Sequence, residues 1–91
     1  MSMRHFKIKV EGVVQGVGFR ANTLMVARQL GLFGTVENKE DGSVYIEVEG
    51  GVEELEKFLV QVKKGTSRSQ VSQLSIEEGP LNHFMNFSIQ Y

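Results

Sequence analysis

Apolar residues recur along this chain with a period that switches from two to between three and four, returns to two, and then repeats the cycle. In His5-Phe6-Lys7-Ile8-Lys9-Val10-Glu11, Phe6, Ile8 and Val10 alternate with charged residues, the pattern of a strand with one face on a core. Ala21–Leu32 places Leu24, Ala27 and Leu30 three residues apart with Val26 beside them, and Gly31 stands where a helix would end. Gly34–Lys39 reads as a short strand and Asp41-Gly42 as a hairpin turn. In the next strand Val44, Ile46 and Val48 are predicted to face inward, and Tyr45, Glu47 and Glu49 outward. Val52–Lys64 is the clearest helix: Val52, Leu55, Phe58, Leu59 and Val62 form one stripe. Its glutamates come early and Lys63-Lys64 come last, which complements the helix dipole. Val71–Glu77 reads as a short, weaker strand, Glu78-Gly79-Pro80 as a turn, and Phe87, Ile89 and Tyr91 as the alternate residues of a final strand.

Strand, helix, strand, strand, helix and two further strands form the split β-α-β, or ferredoxin-like, arrangement of the α+β class: a mostly antiparallel sheet with two helices on one face. The 91 residues fit one domain, 1–91, and are too few for a doubly wound dinucleotide fold or an eight-stranded α/β barrel. Cysteine is absent, which removes disulfides, thiolate-held metals and thiol nucleophiles and fits a reducing, cytoplasmic setting. The net charge of −1 gives no excess of positive charge for nucleic-acid binding. The apolar runs are too short to span a bilayer, and Met1–His5 lacks the apolar run of a secretory signal, so no membrane partner is expected.

Gly12, Gly16 and Gly18 crowd the junction between the first strand and the first helix, and Arg20 follows them. Helix N-termini carry amides without intrahelical partners, and glycine lets such amides converge without a Cβ in the way. A nest of this kind is suited to an anion, phosphate above all, and an arginine adds a planar fork for two of its oxygens. A plain structural turn with Arg20 on the surface has equal standing on spacing alone. Gly16-Val17-Gly18-Phe19-Arg20-Ala21 also fits the G-x-G-x-x-A of dinucleotide binders, but neither the length nor the following pattern suits that fold. The Gly-Lys-Ser/Thr of a nucleoside-triphosphate P-loop does not occur.

The run Gly12-x-Val14-Gln15-Gly16-Val17-Gly18-Phe19-Arg20 resembles the signature of the acylphosphatases. Ala27–Asn38 resembles that family's second block, Asp41-Gly42-Ser43-Val44 and Glu49-Gly50 its hairpin, and Phe87-x-Ile89-x-Tyr91 its last strand. The resemblance implies hydrolysis of the carboxyl–phosphate bond of acyl phosphates, without metal or organic cofactor, by a monomer. It implies that the loop backbone of Gln15, Gly16, Val17, Gly18 and Phe19 binds the phosphoryl group together with the Arg20 side chain. It further implies that Asn38 positions the attacking water, and that inorganic phosphate is both product and competitive inhibitor. Without the resemblance, Asn38 reads as an ordinary strand-end residue.

Two positions depart from the family pattern. Thr35 stands where an aromatic residue is common, and Gly65-Thr66 where Gly-Pro is common. Both are expected to affect stability or loop dynamics and to leave the glycine loop, Arg20 and Asn38 untouched. His5 and His83 are not spaced as a metal pair and read as surface or strand residues; Met25 and Met85 read as core filler, and Glu77-Glu78 as a solvated turn. Two alternatives to an enzyme remain open. A nucleic-acid-binding module is disfavoured because Tyr45 is flanked by Glu47 and Glu49. A regulatory anion-binding domain could use the same nest of amides without turnover, and a related domain occurs in larger maturation proteins that handle carbamoyl phosphate.

Overall fold

The computed structural model describes residues 2–91. Seven elements follow in order: β1 (Met3–Val13), α1 (Phe19–Gln29), β2 (Phe33–Asn38), β3 (Val44–Gly51), α2 (Val52–Lys64), β4 (Gln70–Gly79) and β5 (Phe87–Gln90). The strands form one sheet in the order β4-β1-β3-β2-β5. All neighbours are antiparallel except β2 and β5, which run parallel with Val36 opposite Ile89. The expected ferredoxin-like α+β architecture is therefore present, with β5 added at one edge.

Alternation decides which face of the sheet carries the helices. Ile8 and Val10 of β1, Val36 of β2 and Val44, Ile46 and Val48 of β3 are fully buried on one face. Phe19 and Ala27 of α1 and Leu55, Phe58 and Val62 of α2 join them in one core. Phe58 meets Phe87 of β5 with ring centroids 6.2 Å apart. Fully burying a side chain of this size stabilises by roughly 1.5–3 kcal/mol, so the shared apolar face is the main force behind the sandwich.

Several expectations need correction. Helix α1 begins at Phe19, two residues before the predicted Ala21, because Gly18 adopts a left-handed N-cap conformation that Gly and few other residues reach without strain. It also ends at Gln29, short of the predicted Leu32, and Gly31 turns the chain out of the helix with φ 69°. β4 is ten residues long rather than short and weak; its apolar signal is faint because it is an edge strand, half open to water. Glu77 and Glu78 lie within it, and Glu78 pairs with Arg4 of β1 at 3.6 Å. Met25 and Met85 are exposed, at 54% and 90%, and fill no core.

The largest departure is at Glu49, which was predicted to face outward into water and is buried. Strands β4 and β5 lie on opposite edges, so their connection must cross the sheet. That connection covers the face opposite the helices at one end of β3. There Glu49 accepts hydrogen bonds from the backbone N–H groups of Asn82 and Phe84, the latter at 3.0 Å. His5, also buried, lies with Nδ1 2.7 Å from Glu49 and Nε2 2.9 Å from Glu47, and its ring stacks on Phe84.

Candidate active site

The segment Val14–Gly18 leaves the end of β1 and enters α1. Gly16 and Gly18 have φ of 75° and 76°, and a Cβ at either would meet nothing within 4 Å. Glycine is needed there for backbone conformation and not for space. No side chain caps α1, and its first turn holds no acidic residue. The first helical bond runs from Asn22 N–H to the Gly18 carbonyl at 3.1 Å. Among the described residues, the amides of Gln15 to Arg20 donate to no other protein group outside regular structure. A helix N-terminus with free amides carries a partial positive charge.

Against this N-terminus lies a cavity of about 160 Å³, lined by Val14, Gly16, Gly18, Phe19, Arg20 and Ala21 from the loop and α1, Asn38 from β2, and Ile89 and Tyr91 at the C-terminal strand. Arg20 sits in the first turn of α1, and its guanidinium carbon lies 5.1 Å from the centroid of the Tyr91 ring, within cation–π range. No carboxylate among the described residues pairs with Arg20. Asn38 is the last residue of β2, and its Oδ1 is buried without a protein hydrogen-bond partner. A buried acceptor without a protein partner is open to a water molecule or a ligand.

The residues singled out in the sequence thus divide. Gly16, Gly18, Phe19, Arg20 and Asn38 line one cavity. Gln15 and Val17 do not line it and hold the loop from behind. The Gln15 side chain donates to the carbonyls of Lys39 and Ser43, both at 2.8 Å, and so ties the loop to the β2–β3 hairpin directly after Asn38. The hairpin is itself closed by Asp41, whose Oδ1 accepts from the N–H and hydroxyl of Ser43 at 2.9 and 2.6 Å. Those two bonds and a contact with Lys9 hold the Asp41 carboxyl at about 2, against slight desolvation. The Val17 carbonyl accepts the hydroxyl of Thr66 at 3.0 Å, which overturns the expectation that Thr66 leaves the glycine loop untouched.

Ile89, Tyr91 and Thr66 escaped the sequence reading as members or supports of this cavity. Each reaches it across more than 40 residues of chain, and only the parallel β2–β5 pairing and the α2–β4 turn reveal them. A closing strand that alternates in polarity carried the signal for β5, but not for its parallel place beside β2.

The arrangement can bind a small tetrahedral anion with backbone N–H groups and one guanidinium, beside a side-chain amide able to orient a water molecule. Comparison with known proteins points the same way. The acylphosphatase family model matches residues 6–89. An acylphosphatase of Thermotoga maritima is 46% identical, over 98% of this chain and 99% of its own. The crystal structure of an acylphosphatase from Bacillus subtilis superposes with a TM-score of 0.95 at 40% identity, covering 97% of this chain and 99% of that one. One from Coxiella burnetii gives 0.93 at 26% identity, covering 97% and 93%. Matched along nearly its whole length in sequence and in fold, with the glycine loop and Arg20 inside the matched region, the chain belongs to the acylphosphatase family.

Proposed function

We propose that the protein hydrolyses the carboxyl–phosphate bond of acyl phosphates, releasing a carboxylate and inorganic phosphate. One observation carries the reading: Gly16, Gly18, Phe19, Arg20 and the unpartnered Asn38 amide converge on one small cavity at a helix N-terminus. The substrate class follows from the family, and the geometry suits it. An acyl phosphate has a good carboxylate leaving group, so no general acid is required. Phosphoryl transfer then asks for positioning and for stabilisation of charge on the equatorial oxygens. The loop amides and Arg20 take those oxygens, and their preorganised dipoles need no rearrangement during reaction. Asn38 Oδ1 accepts a hydrogen bond from the attacking water and so turns the water's lone pair toward phosphorus. An amide is no base, so the water's proton passes to a phosphoryl oxygen of the substrate as the P–O bond to the carboxylate breaks. No step calls on a metal or organic cofactor.

The test is hydrolysis of an aryl acyl phosphate in the presence of chelator. The wild type should turn over, inorganic phosphate should inhibit competitively, and Arg20→Ala and Asn38→Ala should each lose about a hundredfold or more in kcat/KM. Phosphate binding with turnover no faster than buffer would replace the enzyme by an anion-binding domain. Full activity in Arg20→Ala would remove the assigned roles.

A further inference from the structure

Behind the anion-binding loop, one hydroxyl decides which way a peptide points. We infer that Thr66, in the turn between α2 and β4, is a positioning residue that fixes the Val17–Gly18 peptide so that the Gly18 N–H serves the cavity; this rests on the phosphoryl-binding role proposed above. Thr66 Oγ1 donates to the Val17 carbonyl at 3.0 Å, across 49 residues of chain. In a trans peptide the C=O and the following N–H point in opposite directions. Holding the Val17 oxygen on the Thr66 side therefore turns the Gly18 N–H to the other side. Gly18 lines the cavity, whereas Val17 does not.

Without that bond the peptide has little to hold it. Gly18 has a φ of 76° and no Cβ to resist a change, so the Val17–Gly18 peptide can turn about the Gly18 N–Cα bond at small steric cost. A flipped peptide would aim the Val17 carbonyl, with its partial negative charge, toward the place of the anion. A single hydrogen bond thus converts a permissive loop into a donor array of fixed sign.

Thr66 is itself well held. Its N–H donates to Ser69 Oγ at 2.8 Å, and the Ser69 hydroxyl and N–H return to the Thr66 carbonyl at 3.1 and 3.2 Å. The Arg68 N–H reaches Thr66 Oγ1 at 3.3 Å, so the single hydroxyl proton is left for Val17. The preceding Gly65 packs beside the ring of Phe19, the first residue of α1, where an added Cβ would lie 3.2 Å from Cε2. Proline at 66 would offer neither the hydroxyl nor the N–H that this turn uses.

The test compares Thr66→Val, which removes the hydroxyl at nearly constant volume, with Thr66→Ser, which keeps it. The probes are inorganic phosphate, titrated while backbone amide resonances are followed, and the kcat and KM of aryl acyl phosphate hydrolysis. Thr66→Val should shift the Gly18 amide resonance of the free protein and weaken phosphate binding about tenfold. It should raise KM by a similar factor while kcat stays within about twofold, as expected when binding common to ground and transition states is lost. Thr66→Ser should stay within about twofold of wild type. Thr66→Val with wild-type phosphate affinity and KM overturns the inference and leaves the hydrolase reading standing. Thr66→Ser as impaired as Thr66→Val also overturns it, since the methyl group and not the hydroxyl would then matter. A wild type that binds phosphate without hydrolysis, with binding weakened only in Thr66→Val, retains the inference and removes the hydrolase. A wild type that binds no phosphate removes both.

Discussion

Gln15 shows how one side chain can join two halves of a site. Its amide nitrogen bonds the carbonyls of Lys39 and Ser43, so the loop that presents Arg20 and the strand end that presents Asn38 share one anchor. Both carbonyls keep a second donor: Gly42 N–H reaches Lys39 at 3.1 Å, and Lys39 N–H reaches Ser43 at 2.9 Å. Gln15→Ala therefore leaves no orphaned acceptor, and its stability cost should stay near 1 kcal/mol. Its effect on kcat/KM should be larger, about tenfold, because misplacement of Asn38 relative to the bound phosphoryl group disturbs the attack geometry directly. Urea unfolding and steady-state kinetics on the one variant separate the two effects, and equal losses in both would show that Gln15 only stabilises. The role of the loop glycines was legible before the structure, since Gly16 and Gly18 take the left-handed backbone that a glycine-dense turn implies. The partners of Gln15 and of Thr66 were not legible, because each lies far along the chain and a polar residue in a loop has no periodicity to betray its direction. Nor was the burial of Asn38 Oδ1, because at the last position of β2 no further alternation fixes where the side chain lies.

At the scale of elements, amphipathic patterns located all seven segments, and the misreadings fall where tertiary contact overrides pattern. β4 is an edge strand with one row of backbone groups unpaired, so its side chains carry little of the apolar alternation that marks β1 and β3. Glu49 obeys the alternation of β3, yet the crossing of residues 80–86 over that face buries it, and nothing in β3 itself announces the cover. A crossing segment outside the sheet needs acceptors for its N–H groups, and the two oxygens of Glu49 serve Asn82 and Phe84. Burial by itself pushes the Glu49 carboxyl up, but the N–H of Asn82, the ring of His5 and the N–H of Phe84 together outweigh it and hold the group below its ordinary value. A depressed folded value means that the stabilisation is fully present above the unfolded value of about 4.5 and is lost as pH falls through the folded value. The Tm of the wild type should therefore fall on acidification below about pH 4.5. Glu49→Gln should be about 2 kcal/mol less stable at pH 7 and should lose Glu49's share of that acid dependence, leaving the share that Asp41 supplies. An unchanged acid limb in Glu49→Gln would assign it to other carboxylates.

Across the whole molecule, the candidate site and the His5–Glu49 cluster occupy opposite ends of the sheet. From His5 to Val14 the chain runs nine residues, roughly 30 Å of strand at ~3.3 Å each, in a molecule whose longest dimension is 35 Å. With a net charge of −1, an anion at the candidate site would have to draw on local dipoles and Arg20, not on the field of the whole protein. One route could still couple the ends, since the segment held by Glu49 leads into β5, whose Ile89 lines the cavity together with Tyr91. β5 is independently fixed, however: Phe87 is buried against Phe58, and Phe87 and Ile89 pair with Gly34 and Val36 of β2. The ends should therefore behave as separate modules on one core. Glu49→Gln at neutral pH should keep kcat/KM within about twofold of wild type while losing stability, whereas Gln15→Ala should lose about tenfold in kcat/KM for a smaller loss of stability. In the double variant the two losses of unfolding free energy should add to within about 0.5 kcal/mol, as for sites more than 10 Å apart without shared partners. A coupling energy above about 1 kcal/mol, or a drop in kcat/KM for Glu49→Gln beyond the folded fraction, would show that β5 transmits the state of the distant cluster to the cavity.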